Sequence, residues 1–136
     1  MSDRVSWDDL LDEDYCWLFR GVFLRSPDDN WMRDEDEIVP LRPDHVGLHW
    51  RQEHRKGYTE TAYTSWSTYW ETARMYGEEA RDDAQAPGEV VVFRVQIDTL
   101  TNRGYYGRDN EDEILIEGRV DGVEISPGLE EEEVNE

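Results

Sequence analysis

The chain has 136 residues, and its 14 Lys and Arg against 34 Asp and Glu give a formal net charge of −20 at pH 7. This length suits one domain with a sheet and a few helices, and the acidic surface excludes broad contact with nucleic acid phosphates. Carboxylates keep a protein hydrated in concentrated salt, where their mutual repulsion is screened, so the composition favours a halophilic origin. A protein that imitates nucleic acid and an ordinary acidic protein remain as alternatives.

Aromatic residues and cysteine narrow the class of protein further. Six tryptophans and seven tyrosines are typical of a chain with a packed core. Cys16 is the one cysteine, so no internal disulfide can form. The sequence has neither an apolar run of about 18 residues nor a basic start followed by an apolar run. We therefore expect a cytoplasmic monomer without membrane contact, or a protein delivered into a target cell without a Sec signal.

The first predicted element is a buried strand over residues 15–24, YCWLFRGVFL, which is nearly continuous in apolar residues. Its one charge is Arg20, which alternation places on the same face as Leu18 and Val22. A buried guanidinium stays charged, so it needs a carboxylate or an anionic ligand beside it. An internal salt bridge and a bound anion both meet this need, and the sequence leaves the choice open.

An acidic segment and three histidines follow this strand. Residues 26–43 carry the acidic run 34–37 and are predicted to form a loop. The spacing of His45, His49 and His54 can place two imidazoles on one helix face, but no cysteine or second ligand cluster accompanies them. We therefore predict no metal site.

The basic patch of the sequence lies between residues 51 and 56 and consists of Arg51, His54, Arg55 and Lys56. In a chain this acidic, such a patch can contact the phosphates of a ligand or balance neighbouring carboxylates. The pattern of charges does not choose between these two roles.

The segment 63–77, YTSWSTYWETARMYG, changes from strand to helix periodicity near its middle. Ser65 and Ser67 alternate with Trp66, so on a strand both hydroxyls share one face and the indole lies on the other. The free N–H groups at a helix start favour anions, which makes serines just before a helix candidate ligand-binding groups. The alternative is a strand and an amphipathic helix that only pack together.

The helix after this strand is predicted to begin with a capping box of Thr68 and Glu71 and to end near Ala84. Residues 89–97, EVVVFRVQI, then alternate as a strand is expected to. The side chains on the apolar face of this strand are Val91, Phe93, Val95 and Ile97.

The last third of the chain alternates turns with short strands. Residues 98–110 are predicted to form a loop that exposes Tyr105 and Tyr106 between glycines, where the two rings can grip another molecule. Residues 113–117, EILIE, are predicted to form a strand, and residues 119–125 form a last one.

Three motifs follow one another along the chain. They are an arginine in an apolar strand (LFRG), a Ser-x-Ser strand that leads into a helix (TSWSTYWETA), and a Glu-x-Glu that opens a strand (EDEILI). Their order and context over residues 18–118 resemble the mono-ADP-ribosyltransferase superfamily, in its arginine, serine and Glu-x-Glu branch. The resemblance implies an α+β fold with two packed, mostly antiparallel sheets, flanking helices and a central NAD cleft. We expect residues 1–128 to form this single domain and residues 129–136 to be a disordered acidic tail.

The resemblance also implies a reaction. Such enzymes transfer ADP-ribose from NAD, which serves as co-substrate, to a side chain of a target protein, and they release nicotinamide. The bond breaks through a transition state with positive charge on the ribose, which a carboxylate stabilises. Glu113 takes this catalytic role, Ser65 holds it in place, and Glu111 serves the acceptor, an arginine in this branch. With water as the acceptor, the same site would act as an NAD glycohydrolase.

The remaining residues implied by the resemblance border NAD or the target. Arg20 grips the NAD phosphates, and the backbone of Gly21 pairs with the nicotinamide amide. Ser67 borders the cofactor together with the first serine of its motif. Tyr105 and Tyr106 lie in the loop that contributes to target recognition.

A different class of function also fits the charge. A non-catalytic acidic module, such as a nucleic acid mimic, would occupy a basic groove on its target protein. Its acidic runs would then matter, and the three motifs would not. The other carboxylates near the motifs, Glu71 and Glu117, are predicted to be a helix cap and a surface residue.

Overall fold

A computed structural model of the chain describes residues 4–5, 17–25, 36–58, 60–100, 103–107 and 113–126. The described residues form the predicted α+β class, with a mostly antiparallel sheet and two α-helices. The packing of two sheets around an NAD cleft stays a prediction. The start of the first predicted strand, half of the acidic run 34–37, Glu111 and the acidic tail lie outside the described residues. Within these ranges no helix is long and apolar enough to cross a membrane.

Strands and helices are mixed up to the 3-10 helix, and four short strands follow it. The elements are β1 (Trp17–Arg25), β2 (Glu37–Ile38), α1 (Leu48–Arg55), β3 (Tyr63–Ser67), α2 (Trp70–Ala84), β4 (Gly88–Gln96), a 3-10 helix (Ile97–Leu100), β5 (Gly104–Tyr106), β6 (Glu113–Glu117), β7 (Val120–Asp121) and β8 (Glu124–Ile125). Six strands form one sheet in the order β5-β6-β3-β1-β4-β8, in which every neighbouring pair is antiparallel. The second sheet consists of β2 and β7 alone, and its Ile38 and Val120 pack into the main core.

The main core lies on one face of the sheet, where β1 and β4 run side by side. The two strands pair along their whole length, from Trp17 opposite Gln96 to Arg25 opposite Gly88. The predicted apolar face of β4 is confirmed, because its side chains join the core cluster that also holds Leu18, Leu24 and Trp66. Alternation of apolar residues on both strands therefore creates this layer.

Helix α2 covers the other face of β1 and β4, and a glycine in β1 allows its close approach. A Cβ on Gly21 would fall on the carbonyl of Ala73 and lie 3.2 Å from the backbone nitrogen of Gly77. The helix also bonds to the sheet through Arg74, whose Nη1 donates to the backbone oxygen of Val90 at 3.2 Å. The arginine therefore connects helix to strand.

The two ends of α2 follow different rules. The helix ends at Ala84, as predicted, and Gln85 adopts the left-handed conformation with φ of 51°. The predicted capping box was wrong, because the N-cap is Tyr69 and no side chain caps it. Thr68 comes one residue too early, since the backbone stays extended through Tyr69 before the helix begins. At this junction between β3 and α2, the Oγ of Ser67 accepts a hydrogen bond from the Tyr69 N–H at 3.1 Å.

The β5-β6-β3 half of the sheet carries α1 and a smaller cluster of buried side chains. Trp50 of α1 packs on this cluster, which consists of Ala62, Tyr63, Tyr105 and Leu115. The loop predicted over residues 98–110 contains a 3-10 helix and strand β5, which pairs with β6. Tyr105 is consequently 8 % exposed, so the prediction that it lies on the surface was wrong.

The last predicted strand is two strands. Residues 119–125 break into β7 and β8, and Gly122 between them has a φ of +74°. β7 pairs with β2, whereas β8 pairs with β4 at the edge of the main sheet. The glycine makes this change of partner possible, because a positive φ is strained for other residues.

Candidate functional site

The three sequence motifs lie on three adjacent strands of the main sheet. Arg20 is on β1, the Ser-x-Ser pair is on β3, and Glu113 opens β6; these strands neighbour one another in the order β6-β3-β1. On β3, Ser67 pairs with Glu113 of β6 on one side and with Phe19 of β1 on the other. Segments from distant parts of the chain therefore form one row across the sheet, which we call the motif row: Phe19, Ser67 and Glu113.

The seam between β1 and β3 differs from the rest of the sheet. Among the described residues these two strands share one register pair, Phe19 with Ser67. Beyond that pair Arg20 connects the strands instead, because its Nη1 donates to the backbone oxygen of Ser65 at 3.0 Å. A side chain here replaces the regular ladder of backbone hydrogen bonds.

Arg20 combines burial with a nearby negative charge. Burial lowers the pKa of Arg20 to about 10, while the negative charge of Glu113 raises it. In the structure the guanidinium donates to a neutral carbonyl oxygen, that of Ser65, and the charge of Glu113 acts on it without offsetting the effect of burial on the pKa. The guanidinium and this carboxylate are therefore parts of one electrostatic site.

Glu113 is a buried carboxylate, 4 % exposed, and a glycine packs against it. A Cβ on Gly107 would overlap the Glu113 side chain, and the Gly107 N–H donates to the Glu113 backbone oxygen at 2.8 Å. Only glycine fits at position 107 without moving the carboxylate. Gly107 is a site residue that sequence reasoning missed, although a glycine after two tyrosines was a visible signal.

The start of α2 lies beside the motif row, next to Ser67. Ser67 is fully buried, and its Oγ bonds the Tyr69 N–H just before the first turn of the helix. Trp70 follows, and its Nε1 is buried without a hydrogen-bond partner in the part of the chain that the structure describes. A helix start and an unpaired indole donor both favour an electron-rich group nearby.

Ser65 has a neighbour that no spacing rule indicated. Its Oγ lies 2.8 Å from His54 Nε2, while His54 Nδ1 lies 2.8 Å from Thr61 Oγ1. His54 is 8 % exposed, so it does not belong to an exposed basic patch. No group of three His, Cys, Asp or Glu residues within the described ranges could hold a metal ion.

The arginines of the predicted basic patch also bond within the protein. Arg51 lies over the ring of Tyr105 at 3.9 Å and donates to the hydroxyl of Tyr63 at 3.0 Å. Arg55 donates from Nε to the backbone oxygen of Tyr106 at 3.1 Å. The patch therefore fixes α1 to β3 and β5. Tyr106, 45 % exposed, is the tyrosine of the pair that a partner could reach.

The remaining predicted carboxylates fall in different places. Glu71 is exposed in the first turn of α2 and does not cap it through a side-chain bond. Glu117 is half-buried and accepts a hydrogen bond from the Tyr63 hydroxyl at 3.0 Å, so it supports β3 from β6. Glu111 lies outside the described residues, and its role at the acceptor stays a prediction.

The motif row and its neighbours Arg20 and Ser65 therefore bring a buried carboxylate, a half-buried arginine, two serines and a helix start onto three adjacent strands. The register places the Arg20 side chain on the face of the main core and places Glu113 and the serines on the other face. These groups can bind an anion and can stabilise positive charge that develops next to a carboxylate. Gly21 packs under α2, and its predicted contact with nicotinamide stays a prediction. Comparison of the chain with protein-family models, curated proteins and solved structures found no match.

Proposed function

We propose that the chain is an NAD-dependent mono-ADP-ribosyltransferase with an ADP-ribosyltransferase-like fold and its NAD cleft at the motif row. It transfers ADP-ribose from NAD to a side chain of a target protein, arginine in the first instance, and releases nicotinamide. The observation that carries the proposal is the placement of Arg20, the Ser-x-Ser pair and Glu113 on three adjacent strands. Nothing in the linear spacing of these motifs requires them to be neighbours.

The proposed reaction is a displacement at the anomeric carbon of the ribose. The bond to nicotinamide breaks, and nicotinamide leaves with the bonding electron pair. Positive charge then develops on the ribose, and the carboxylate of Glu113 stabilises it. A nitrogen of the acceptor guanidinium forms the new bond and loses a proton, which Glu111 accepts. Water can take the acceptor's place, which gives NAD glycohydrolase activity.

The other residues of the site hold NAD in position. Arg20 supplies the positive charge for the phosphates from β1, the strand next to the one that carries the two serines. Ser65 and Ser67 lie on the same face as Glu113, where the first holds the carboxylate and the second orders the start of α2. Tyr106 is exposed beside the loop that precedes Glu113, where a target protein can contact it.

Release of nicotinamide by purified protein tests the proposal directly. In Glu113→Gln the shape of the side chain is kept and the charge is lost, so we expect kcat/KM to fall by roughly 10²- to 10³-fold. Glu79→Gln is the matched control, because it removes one charge from an exposed residue of α2 that has no role in the proposed reaction. Circular dichroism verifies that both variants are folded. Equal rates for wild type and Glu113→Gln would defeat the proposal.

The charge of −20 supports one alternative, a non-catalytic acidic module that occupies a basic site on a target. Two variants separate the alternatives. Replacing the four carboxylates of residues 34–37 by amides should leave nicotinamide release within about twofold of wild type, because the proposed reaction uses none of them. Arg20→Ala should lower that release at least tenfold if the phosphates need this charge. The acidic module predicts no nicotinamide release by any variant and loss of target binding only in the amide variant.

The target is accessible to experiment once activity is established. The protein is incubated with labelled NAD and a lysate of the presumed host, and the labelled proteins are identified. Glu113→Gln serves as the blank, because non-enzymatic labelling would persist in it.

A further inference from the structure

Strand β5 lies at one end of the main sheet, next to the buried carboxylate. Its three residues, Gly104–Tyr106, pair with β6 and carry no strand period of their own. The chain then passes Gly107, which packs against the Glu113 side chain and donates to the Glu113 backbone oxygen at 2.8 Å. The path of β5 therefore bears directly on the position of the Glu113 carboxylate.

Two residues near the start of the chain lie along the outer edge of β5. Arg4 forms an antiparallel bridge with Tyr105, and the Val5 N–H donates to the backbone oxygen of Gly104 at 2.9 Å. Because β5 is the last strand in the sheet order on this side, the two residues extend the sheet by one short segment. We call Arg4 and Val5 the strap.

The strap is anchored on both faces of the sheet, because neighbouring residues of an extended chain point to opposite faces. Val5 is buried in the main core cluster. Arg4 lies against Tyr105, where its guanidinium carbon is 5.7 Å from the centre of the ring and its Nη2 donates to the hydroxyl at 3.4 Å. The strap therefore ties β5 both to the core and to the cluster under α1.

Helix α1 supports β5 from one face. Arg51 lies over the Tyr105 ring at 3.9 Å, and Arg55 donates from Nε to the Tyr106 backbone oxygen at 3.1 Å. Neither contact involves the backbone of Gly104, which bonds to the strap. A short edge strand gains little stability from a single partner, so we expect β5 to open locally when the strap is released.

We propose that the strap is a positioning element of the site: it holds β5 on β6, keeps Gly107 against Glu113 and thereby fixes the carboxylate. The inference deepens the proposed function and rests on it for the role of Glu113. Release of the strap then lowers activity while Arg20 and the serines keep their places on β1 and β3. Two residues far from the motifs along the chain thus control the geometry of the catalytic group.

Hydrogen exchange of backbone amides, followed by NMR, tests the structural step without any ligand. Val5→Pro keeps an apolar side chain and removes the N–H that bonds to Gly104. Arg4→Gln removes the cation at Tyr105 from an exposed residue, so it does not disturb the core. In both variants the Gly107 amide should exchange at least about tenfold faster, and the amides of β1 and β4 should stay within about twofold of wild type. Unchanged exchange at Gly107, or the same acceleration throughout the sheet, would overturn the proposal.

Nicotinamide release tests the consequence for the reaction. In both strap variants kcat should fall roughly 10- to 100-fold, because a displacement of about 1 Å at a catalytic group has effects of this size. KM for NAD should change little, since the strap does not contact Arg20 or the serines. Arg4→Lys keeps a cation for the ring and a donor for the hydroxyl of Tyr105, so it should recover most of the loss seen in Arg4→Gln. A fall in kcat that Arg4→Lys shared in full would contradict the role of Arg4.

The matched control is Arg81→Gln, which removes the same charge from an exposed residue whose ion pairs stay within α2. It should leave both the exchange of the Gly107 amide and kcat within about twofold of wild type. If wild type releases no nicotinamide, the proposed function fails, whereas faster exchange at Gly107 in the strap variants still supports the strap. Equal effects of Arg81→Gln and Arg4→Gln would overturn it.

Discussion

The two sides of strand β1 are built on different principles. Towards β4 the strands pair along their full length, and apolar side chains cover both faces. Towards β3 the described residues share one register pair, and Arg20 bonds across the seam to the Ser65 backbone. Polar side chains follow on β3 and on the elements beside it, namely Ser65 and Ser67, Glu113 of β6 and His54 of α1. Burying polar groups is unfavourable unless each is bonded, so such a seam adds less to stability than an apolar one. We infer that the β1-β4 side contributes most to stability, whereas the β1-β3 side carries residues of the proposed site.

The largest effect on stability should come from the β1-β4 side. In Gly21→Ala the new methyl group meets the carbonyl of Ala73, so helix and strand must move apart. We expect the free energy of unfolding to fall by about 3 kcal/mol, at the upper end for overpacking, in urea titrations followed by circular dichroism.

The control for this prediction is Gly57→Ala. Gly57 has a φ of +108°, and apart from its chain neighbours no atom of the described residues lies within 4 Å of the position its Cβ would take, so backbone strain dominates. That strain should lower stability by about 1 kcal/mol. If Gly21→Ala and Gly57→Ala had the same free energy of unfolding, the close packing of α2 on β1 would not explain the loss in Gly21→Ala.

A smaller effect should come from Tyr63, on the polar side. Its hydroxyl accepts from the Gly47 N–H at 2.8 Å and from Arg51 at 3.0 Å, and it donates to Glu117 at 3.0 Å. Tyr63→Phe leaves these groups without their bonds, and we expect a loss of about 2 kcal/mol at pH 7. A loss as large as that of Gly21→Ala would contradict the division between the two sides.

The pH dependence of the stability difference between wild type and Tyr63→Phe provides a second measurement. Burial raises the pKa of the Tyr63 hydroxyl above its ordinary value of about 10. Above about pH 10 the unfolded chain loses this proton first, so the folded state binds more protons and its free energy of unfolding falls as pH rises. Tyr63→Phe lacks this contribution. The gap between wild type and variant should therefore narrow at alkaline pH, and a widening gap would contradict the assignment.

Sequence patterns were most informative where one local rule dominates. Strand β4 and helix α2 were predicted because alternation and a helical period each extend over many residues. Strand β5 was not, because three residues between glycines carry no period, and pairing with β6 creates the strand. Tyr105 was placed on the surface for the same reason.

The candidate site likewise contains residues that the sequence could predict and contacts that it could not. Arg20, Ser65, Ser67 and Glu113 could be selected from their types and from the elements that carry them. The bond between His54 and Ser65 could not, because it depends on how α1 lies over β3, and no spacing along the chain encodes that packing. The overlap of Gly107 with Glu113 likewise requires the path of the backbone between β5 and β6.

The arginines have a consequence for how charged molecules approach. Arg20, Arg55 and Arg74 each donate to a main-chain oxygen, so their positive charges act as internal crosslinks. The net charge of −20 already counts these arginines, so the long-range field is negative and would repel the anionic dinucleotide of the proposed reaction as it approaches. Raising the ionic strength should therefore accelerate encounter with NAD, which is the opposite sign to that of a basic protein binding a polyanion.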